Sequence, residues 1–215
     1  MPATPRPPEH TVNNAANPGD DDKALRAALR REKLAARAAL PAAEHARLSA
    51  LLEGHLEREL GARTPGVVAF CWPIRGEFDA RPLVCRLLAC GWRAAVPTVI
   101  AIDQPMVFRP WAPESAMAVD PYGIPVPAGN AVSAAPDLVL LPLAAFDDNG
   151  YRLGYGGGYF DRTLAGMAPC PETIGVAFEL ARVATTRPQK HDISMGAVVT
   201  ECGFRRFATG RRELR

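Results

Sequence analysis

A closely spaced cysteine pair, a long apolar run and a surplus of either charge are all missing from this 215-residue chain. Its five cysteines, Cys71, Cys85, Cys90, Cys170 and Cys202, are odd in number and hold no CxxC pair. That argues against a disulfide framework or a thiolate zinc site, and for the reducing cytoplasm. No uninterrupted apolar stretch approaches the roughly 20 residues needed to span a bilayer, and the N-terminus has no hydrophobic signal core. Neither membrane insertion nor secretion is expected. The formal net charge of +2 gives no reason to expect nucleic acid or an anionic membrane as partner, so a basic site has to be local. No internal repeat is visible.

What is present fits one globular domain: 48% hydrophobic and 22% charged residues in a length that favours a single unit. Residues 1–22, rich in Pro, Asn, Ala and Asp and ending in Asp20, Asp21 and Asp22, show no apolar periodicity and read as a disordered tail ahead of a domain over 23–215. Lys23 to Arg37 has high helix propensity and is stopped by Pro41. A second helix follows, with Leu48, Leu51, Leu52, His55 and Leu56 on one stripe running to about Leu60. The two are expected to pair as a helical hairpin. Beyond Gly61 come short apolar runs read as strands: Val67 to Cys71, Ala94 to Val96, Met106 to Phe108, Leu138 to Leu141, Ile174 to Ala177, and one near Val198 and Val199. Between them fall a helix capped by Asp79 and closed by Gly91, and another over Tyr159 to Ala165. Alternating strands and helices imply an α/β fold with a mostly parallel sheet covered on both faces.

The stretch after the strongest strand carries the most chemistry: Arg152, Leu153, Gly154, Tyr155, Gly156, Gly157, Gly158, Tyr159, Phe160, Asp161. A loop at the carboxyl end of a strand is where α/β sheets bind ligands. Four glycines in five positions let backbone N–H groups turn inward with no β-carbon in the way of phosphate oxygens. Arg152 offers a fork of donors to a phosphate, and Asp161 a hard oxygen ligand for the magnesium that travels with a nucleotide. The spacing is neither the dinucleotide fingerprint nor a Walker loop. On chemistry alone, a phosphate site and a tight turn both stay open.

The segment from Leu141 to Arg162, with its Arg-Leu-Gly, spaced glycines and aromatic-aromatic-Asp ending, closely resembles the signature of the 5-formyltetrahydrofolate cyclo-ligases, also called methenyltetrahydrofolate synthetases. The resemblance extends to a basic N-terminal helix, the turn Gly76-Glu77-Phe78-Asp79, Pro121 to Pro127, His191-Asp192, and Val198 to Glu201. It implies a three-layer αβα fold and ATP-dependent conversion of 5-formyltetrahydrofolate to 5,10-methenyltetrahydrofolate, with Mg2+ required. By the same resemblance, Arg26, Arg30 and Arg152 to Phe160 surround ATP, with Arg152, Tyr155 and Asp161 central to catalysis. Trp72, Glu77 and Tyr155 to Tyr159 border the folate, and Asp161 and Asp192 hold the metal. Two positions depart from the pattern: Arg26 stands where lysine is usual, with Lys23 a turn earlier, and Phe160 where many relatives have tyrosine. ATP and folate are the expected partners of a monomer.

Blander readings apply elsewhere. Arg-rich residues 26 to 37 suit a solvated helix face, Cys71 and Cys85 suit small buried hydrophobes, and His10, His45 and His55 lack metal-ligand spacing. His191 reads as a proton shuttle or as a structural loop residue. Two rivals to the cyclo-ligase stay open: a sugar-phosphate isomerase or CoA-transferase-like enzyme, and a non-catalytic nucleotide- or RNA-binding module.

Overall fold

A computed structural model describes residues 18–131 and 135–207. Helix α1 (Pro18–Ala38) leads into α2 (Ala42–Gly61), β1 (Val67–Ala69), α3 (Arg81–Ala89), β2 (Arg93–Thr98) and β3 (Val107–Trp111). Then come β4 (Met117–Val119), β5 (Pro125–Pro127), β6 (Leu138–Pro142), β7 (Ala145–Phe146), β8 (Arg152–Leu153) and α4 (Tyr159–Ala165), followed by β9 (Glu172–Val176), β10 (Ala197–Thr200) and β11 (Gly203–Arg206). The main sheet runs β11, β10, β9, β6, β1, β2, β3. Its five inner strands are parallel, and antiparallel β3 and β11 close its edges.

The apolar run of β6 is buried on both faces, as a central parallel strand requires. Leu138 and Leu140 face a core shared with Leu52, Phe70 and Trp111, whereas Val139 and Leu141 face one shared with Phe146, Leu164 and Val198. Three layers result. In α2 the buried stripe is Leu48, Leu52, Leu56 and Leu60. Leu51, which the sequence suggested for the same stripe, is exposed because a spacing of four tracks one helix face and leaves the intervening position at its edge.

Two expectations about the N-terminus change. Helix α1 starts at Pro18, so the tail expected over 1–22 gives way to helix in its last five positions, and residues 1–17 lie outside the described part. Helices α1 and α2, expected to pair as a hairpin, also dock on different parts of the domain. Helix α2 packs over β10, β11 and α3, while α1 contacts β7 and the 3₁₀ turn Glu179–Ala181. The cause is visible in α1 itself. Its docking face is cationic: Arg26, Arg30, Lys33 and Arg37, spaced by four, three and four residues, reach into the domain. Arg30 donates to the Gly154 carbonyl at 2.6 Å and Lys33 to the Leu180 carbonyl at 3.0 Å.

A chain beginning at Asp22 should therefore fold and work normally. It keeps all four docking cations and the exposed Asp22–Arg187 pair at 2.9 Å, a kind of pair worth about 0–1 kcal/mol. The melting temperature should change by less than about 3 °C, since about 1 kcal/mol moves a domain of this size roughly 2–4 °C. A larger drop in thermal melting, or a loss of turnover, would show that residues before Asp22 belong to the working structure.

Candidate active site

Strands β1 and β6 are parallel neighbours, with Val68 opposite Leu138 and Ala69 opposite Val139. The loops that leave their carboxyl ends emerge side by side, which is where α/β sheets place ligands. The β6 loop is prepared by a buried carboxylate. Asp147 Oδ1 accepts the backbone N–H groups of Asn149 (3.0 Å) and Tyr151 (3.1 Å), while Oδ2 accepts the Thr186 N–H (2.9 Å) and hydroxyl (2.8 Å). With every lone pair used, Asp147 fixes the β7–β8 turn and delivers Arg152 to the start of the glycine loop.

Between that loop and α1 lies a cavity of about 460 Å³, within the usual 300–1,000 Å³ range of small-molecule sites. Gly154 to Phe160 form one wall, Lys23, Arg26, Ala27 and Arg30 the other, and Arg152, Asp161, Gln189, His191 and Asp192 close the end. Twelve positions singled out in the sequence therefore meet: Arg26, Arg30, Arg152, Gly154, Tyr155, Gly156, Gly157, Gly158, Tyr159, Phe160, Asp161 and Asp192. Gly156 adopts φ +105° and Gly158 φ +64°, conformations that side chains rarely tolerate. Burial, and then repulsion from Arg26, lowers the pKa of Arg30 without discharging it.

The charges at the end of the cavity are already paired. Arg26 Nη1 donates to Asp192 Oδ2 at 2.6 Å and to the Arg187 carbonyl at 2.8 Å. Burial opposes ionisation of Asp192, but the bonds from Arg26 and from the Gln189 N–H hold its pKa below the ordinary aspartate value. Arg152 donates to Asp161 Oδ1 (3.0 Å) and to the Ile193 carbonyl (2.8 Å), while the Ile193 N–H donates to the same Asp161 oxygen (3.0 Å). The Arg152 side chain is only 4% exposed. Its fork is spent on tying the glycine loop to the 192–193 segment, not presented openly as the sequence reading supposed. His191 is well exposed, with Nε2 3.9 Å from Asp192 Oδ1.

Three expected contacts are not brought to this cavity. Leu153 is fully buried in β8, its carbonyl accepting the Ala144 N–H at 2.8 Å, because the side chain faces the core rather than the loop. Trp72 packs its ring under the Arg81 guanidinium (4.6 Å) and against the edge of Trp111 (6.3 Å). Glu77 instead lines a separate recess of about 20 Å³ with Cys71, Phe78 and Leu140. The two recesses are nevertheless linked, because the Tyr155 hydroxyl donates to Glu77 Oε1 while the Ile74 N–H donates to Oε2 at 2.9 Å. Burial raises the Glu77 pKa above the ordinary glutamate value, against the pull of these bonds and of Arg37 and Arg75. Burial and the adjacent Glu77 charge raise the Tyr155 phenol as well. Asp79 lies one residue before Ala80, the N-cap of α3, and still serves the helix start, its Oδ1 accepting the Arg81 N–H (3.0 Å).

Two residues of the site escaped the sequence reading. Asp147 sits in a run, Asp-Asp-Asn-Gly, that marks a turn but does not say which aspartate is buried. Arg37 was visible only as the fourth member of a basic series. As for metals, no cluster of three His, Cys, Asp or Glu side chains occurs among the described residues. The two carboxylates Asp161 and Asp192 still suit a hard cation that completes its shell with phosphate oxygens and water. Nor does any described helix have the length and apolarity to cross a membrane.

The 5-formyltetrahydrofolate cyclo-ligase family model matches residues 22–201. A 5-formyltetrahydrofolate cyclo-ligase of Escherichia coli K12 is 31% identical over 131 residues, covering 58% of this chain and 72% of that protein. The solution structure of Aquifex aeolicus 5,10-methenyltetrahydrofolate synthetase superposes with a TM-score of 0.75 at 29% identity, covering 87% of this chain and 95% of the other. The Mycoplasma pneumoniae synthetase structure, at 24% identity and a TM-score of 0.66, shares the fold over 82% of this chain and 98% of its own. With a family match running from α1 to the end of β10 and a solved synthetase of the same fold, the chain belongs to the 5-formyltetrahydrofolate cyclo-ligase family.

Proposed function

We propose that this enzyme closes the ring of 5-formyltetrahydrofolate to give 5,10-methenyltetrahydrofolate, using MgATP and releasing ADP and phosphate. The observation that carries the proposal is the cavity in which loop 154–158 faces Lys23, Arg26 and Arg30 across from paired carboxylates, beside the Glu77 turn. The formyl oxygen attacks the γ-phosphorus as ADP departs. That leaves an iminium phosphate; nitrogen 10 then adds to its carbon and gives up its proton, and the C–O bond breaks to release phosphate as the C–N double bond of the new ring forms. No protein nucleophile is needed, so the protein's part is positioning and charge stabilisation. Loop amides and the cations of α1 receive the phosphates. Magnesium, when bound, would be held by Asp161 and Asp192 and would neutralise phosphate charge. Glu77 accepts from the pterin amino and ring N–H groups, as a buried carboxylate does in such a pocket.

Mixing the protein with 5-formyltetrahydrofolate, Mg2+ and ATP should raise the near-ultraviolet absorbance of the methenyl product, and omission of ATP should abolish the rise. Absence of the chromophore with ATP present would refute the proposal. Glu77→Gln keeps the size of the side chain but turns one acceptor into a donor and removes the charge, at a cost of about 1.5–3 kcal/mol. Use of 5-formyltetrahydrofolate should fall roughly ten- to hundred-fold. The KM for ATP should stay within about three-fold, since Glu77 does not line the nucleotide cavity. Equal changes in both KM values would remove Glu77 from the folate side.

A further inference from the structure

Among the described side chains of α1, Arg37 alone is buried, with 7% of it exposed. Its three nitrogens serve three separate pieces of the site. Nε donates to the Arg75 carbonyl at 3.0 Å, Nη1 to the Leu143 carbonyl at 3.1 Å, and Nη2 to the Tyr155 hydroxyl oxygen at 2.7 Å. Arg75 belongs to the turn that carries Glu77, Leu143 to the exit of β6, and Tyr155 to the glycine loop. A planar fork is the only side chain that can address three acceptors in fixed directions at once.

The order of donors and acceptors has a consequence. Because the Tyr155 oxygen accepts from Arg37, its own proton points away, toward Glu77 Oε1. The chain runs from guanidinium to phenol to carboxylate, with the Arg37 Nη2 and Glu77 Oε1 ends 3.9 Å apart. Arg37 therefore supplies compensating charge for a carboxylate whose ionisation burial opposes. The turn is braced from the other side too, where the His45 ring Nε2 and the Gly76 carbonyl lie 2.9 Å apart.

We propose that Arg37 is a positioning residue of the reaction, which holds Glu77 ionised and aimed at the folate by way of Tyr155 while locking the Glu77 turn to the glycine loop. This rests on the reading of Glu77 as the pterin acceptor. The groups facing Glu77 are Arg37 from α1, Tyr155 from the glycine loop, Arg75 from its own turn, and Cys71 from the end of β1. Of these, only Arg37 and Arg75 favour the ionised carboxylate by charge, and Arg37 is the buried one.

The test compares wild type with Arg37→Met and Arg37→Lys in two ways: carbon-13 titration of the Glu77 carboxyl in the ligand-free protein, assigned with Glu77→Gln, and the pH profile of kcat/KM for 5-formyltetrahydrofolate. An opposite charge within about 4–6 Å lowers a carboxyl pKa by about 1–3 units, so Arg37→Met should raise the Glu77 titration by about one unit or more. The acidic limb of the folate profile should move with it, and Arg37→Lys should recover part of the shift. Should Arg37→Met fail to fold, the lysine variant carries the test with a smaller shift of the same sign. A lower melting temperature with carboxyl titration and acidic limb both unmoved would mean that Arg37 is only structural, and would overturn the proposal. A shifted carboxyl with an unmoved limb would overturn it as well. A shifted carboxyl in a protein whose wild type makes no methenyl product would refute the proposed reaction, and the positioning role would fall with it.

Discussion

Gly156→Val is expected to weaken ATP binding by about ten- to a hundred-fold while changing 5-formyltetrahydrofolate binding by less than about five-fold. Gly156 holds φ +105°, where a β-branched residue is strained by about 1–3 kcal/mol, and about 1.4 kcal/mol corresponds to a factor of ten. A β-carbon added there would lie 3.8 Å from the Arg30 guanidinium carbon, in ordinary contact. The valine methyls extend beyond it, toward the guanidinium that holds the Gly154 carbonyl. Strain and displacement thus act together on the cavity wall that, under the proposed function, receives the phosphates. Gly156→Ala should be intermediate, because it keeps the φ penalty but adds less bulk. Calorimetry with each substrate alone separates the effects. If valine left ATP affinity unchanged, or cost both substrates equally, the loop would not be a dedicated phosphate cradle.

That the glycine loop could be read so closely from sequence has a physical reason. Its shape lies in the backbone, with positive φ at Gly156 and Gly158, and backbone conformations that exclude side chains appear in sequence as glycine. Strand β6 was legible because a strand buried on both faces must be apolar at every position, and α4 because Gly158 and Gly166 punctuate it. Side-chain partnerships leave no such trace. Arg152 looked like a phosphate fork, and only the fold shows that its donors end on Asp161 and Ile193. The same holds for α1, whose basic series suits a solvated face until the carbonyls of Gly154, Leu180, Arg75 and Leu143 are seen to receive it. The short strands β4, β5, β7 and β8, none longer than three residues, are too brief for any periodicity to register. Among them β4 and β5 form a hairpin whose Tyr122 hydroxyl lies 2.6 Å from that of Tyr159.

Asp161→Asn should lower ATP-dependent turnover by about a hundred-fold or more, the scale at which loss of one group stabilising transition-state charge is felt. Two roles of Asp161 have to be separated. It is the charge partner of the buried Arg152, and under the proposed function it is also a ligand of the magnesium that accompanies ATP. Asparagine retains an oxygen to accept from Arg152 and from the Ile193 N–H, so the bonds of Oδ1 survive and only the charge is lost. The structural cost should then be about 1–3 kcal/mol, or roughly 2–12 °C of melting temperature at this chain length, and the protein should remain folded at 25 °C. Both hydrogen bonds to Asp161 fall on Oδ1. A metal role through the charged group therefore predicts something the structural role does not: raising the Mg2+ concentration should restore part of the turnover in Asp161→Asn and none in Gly156→Val. Asp192→Asn adds a check, because there both carboxylate oxygens are engaged by Arg26, and the substitution also frees that cation for phosphate. Its loss of turnover should be smaller than that of Asp161→Asn. Turnover of Asp161→Asn near that of wild type at ordinary Mg2+ concentration would remove this carboxylate from the metal site and leave it as the anchor of Arg152 alone.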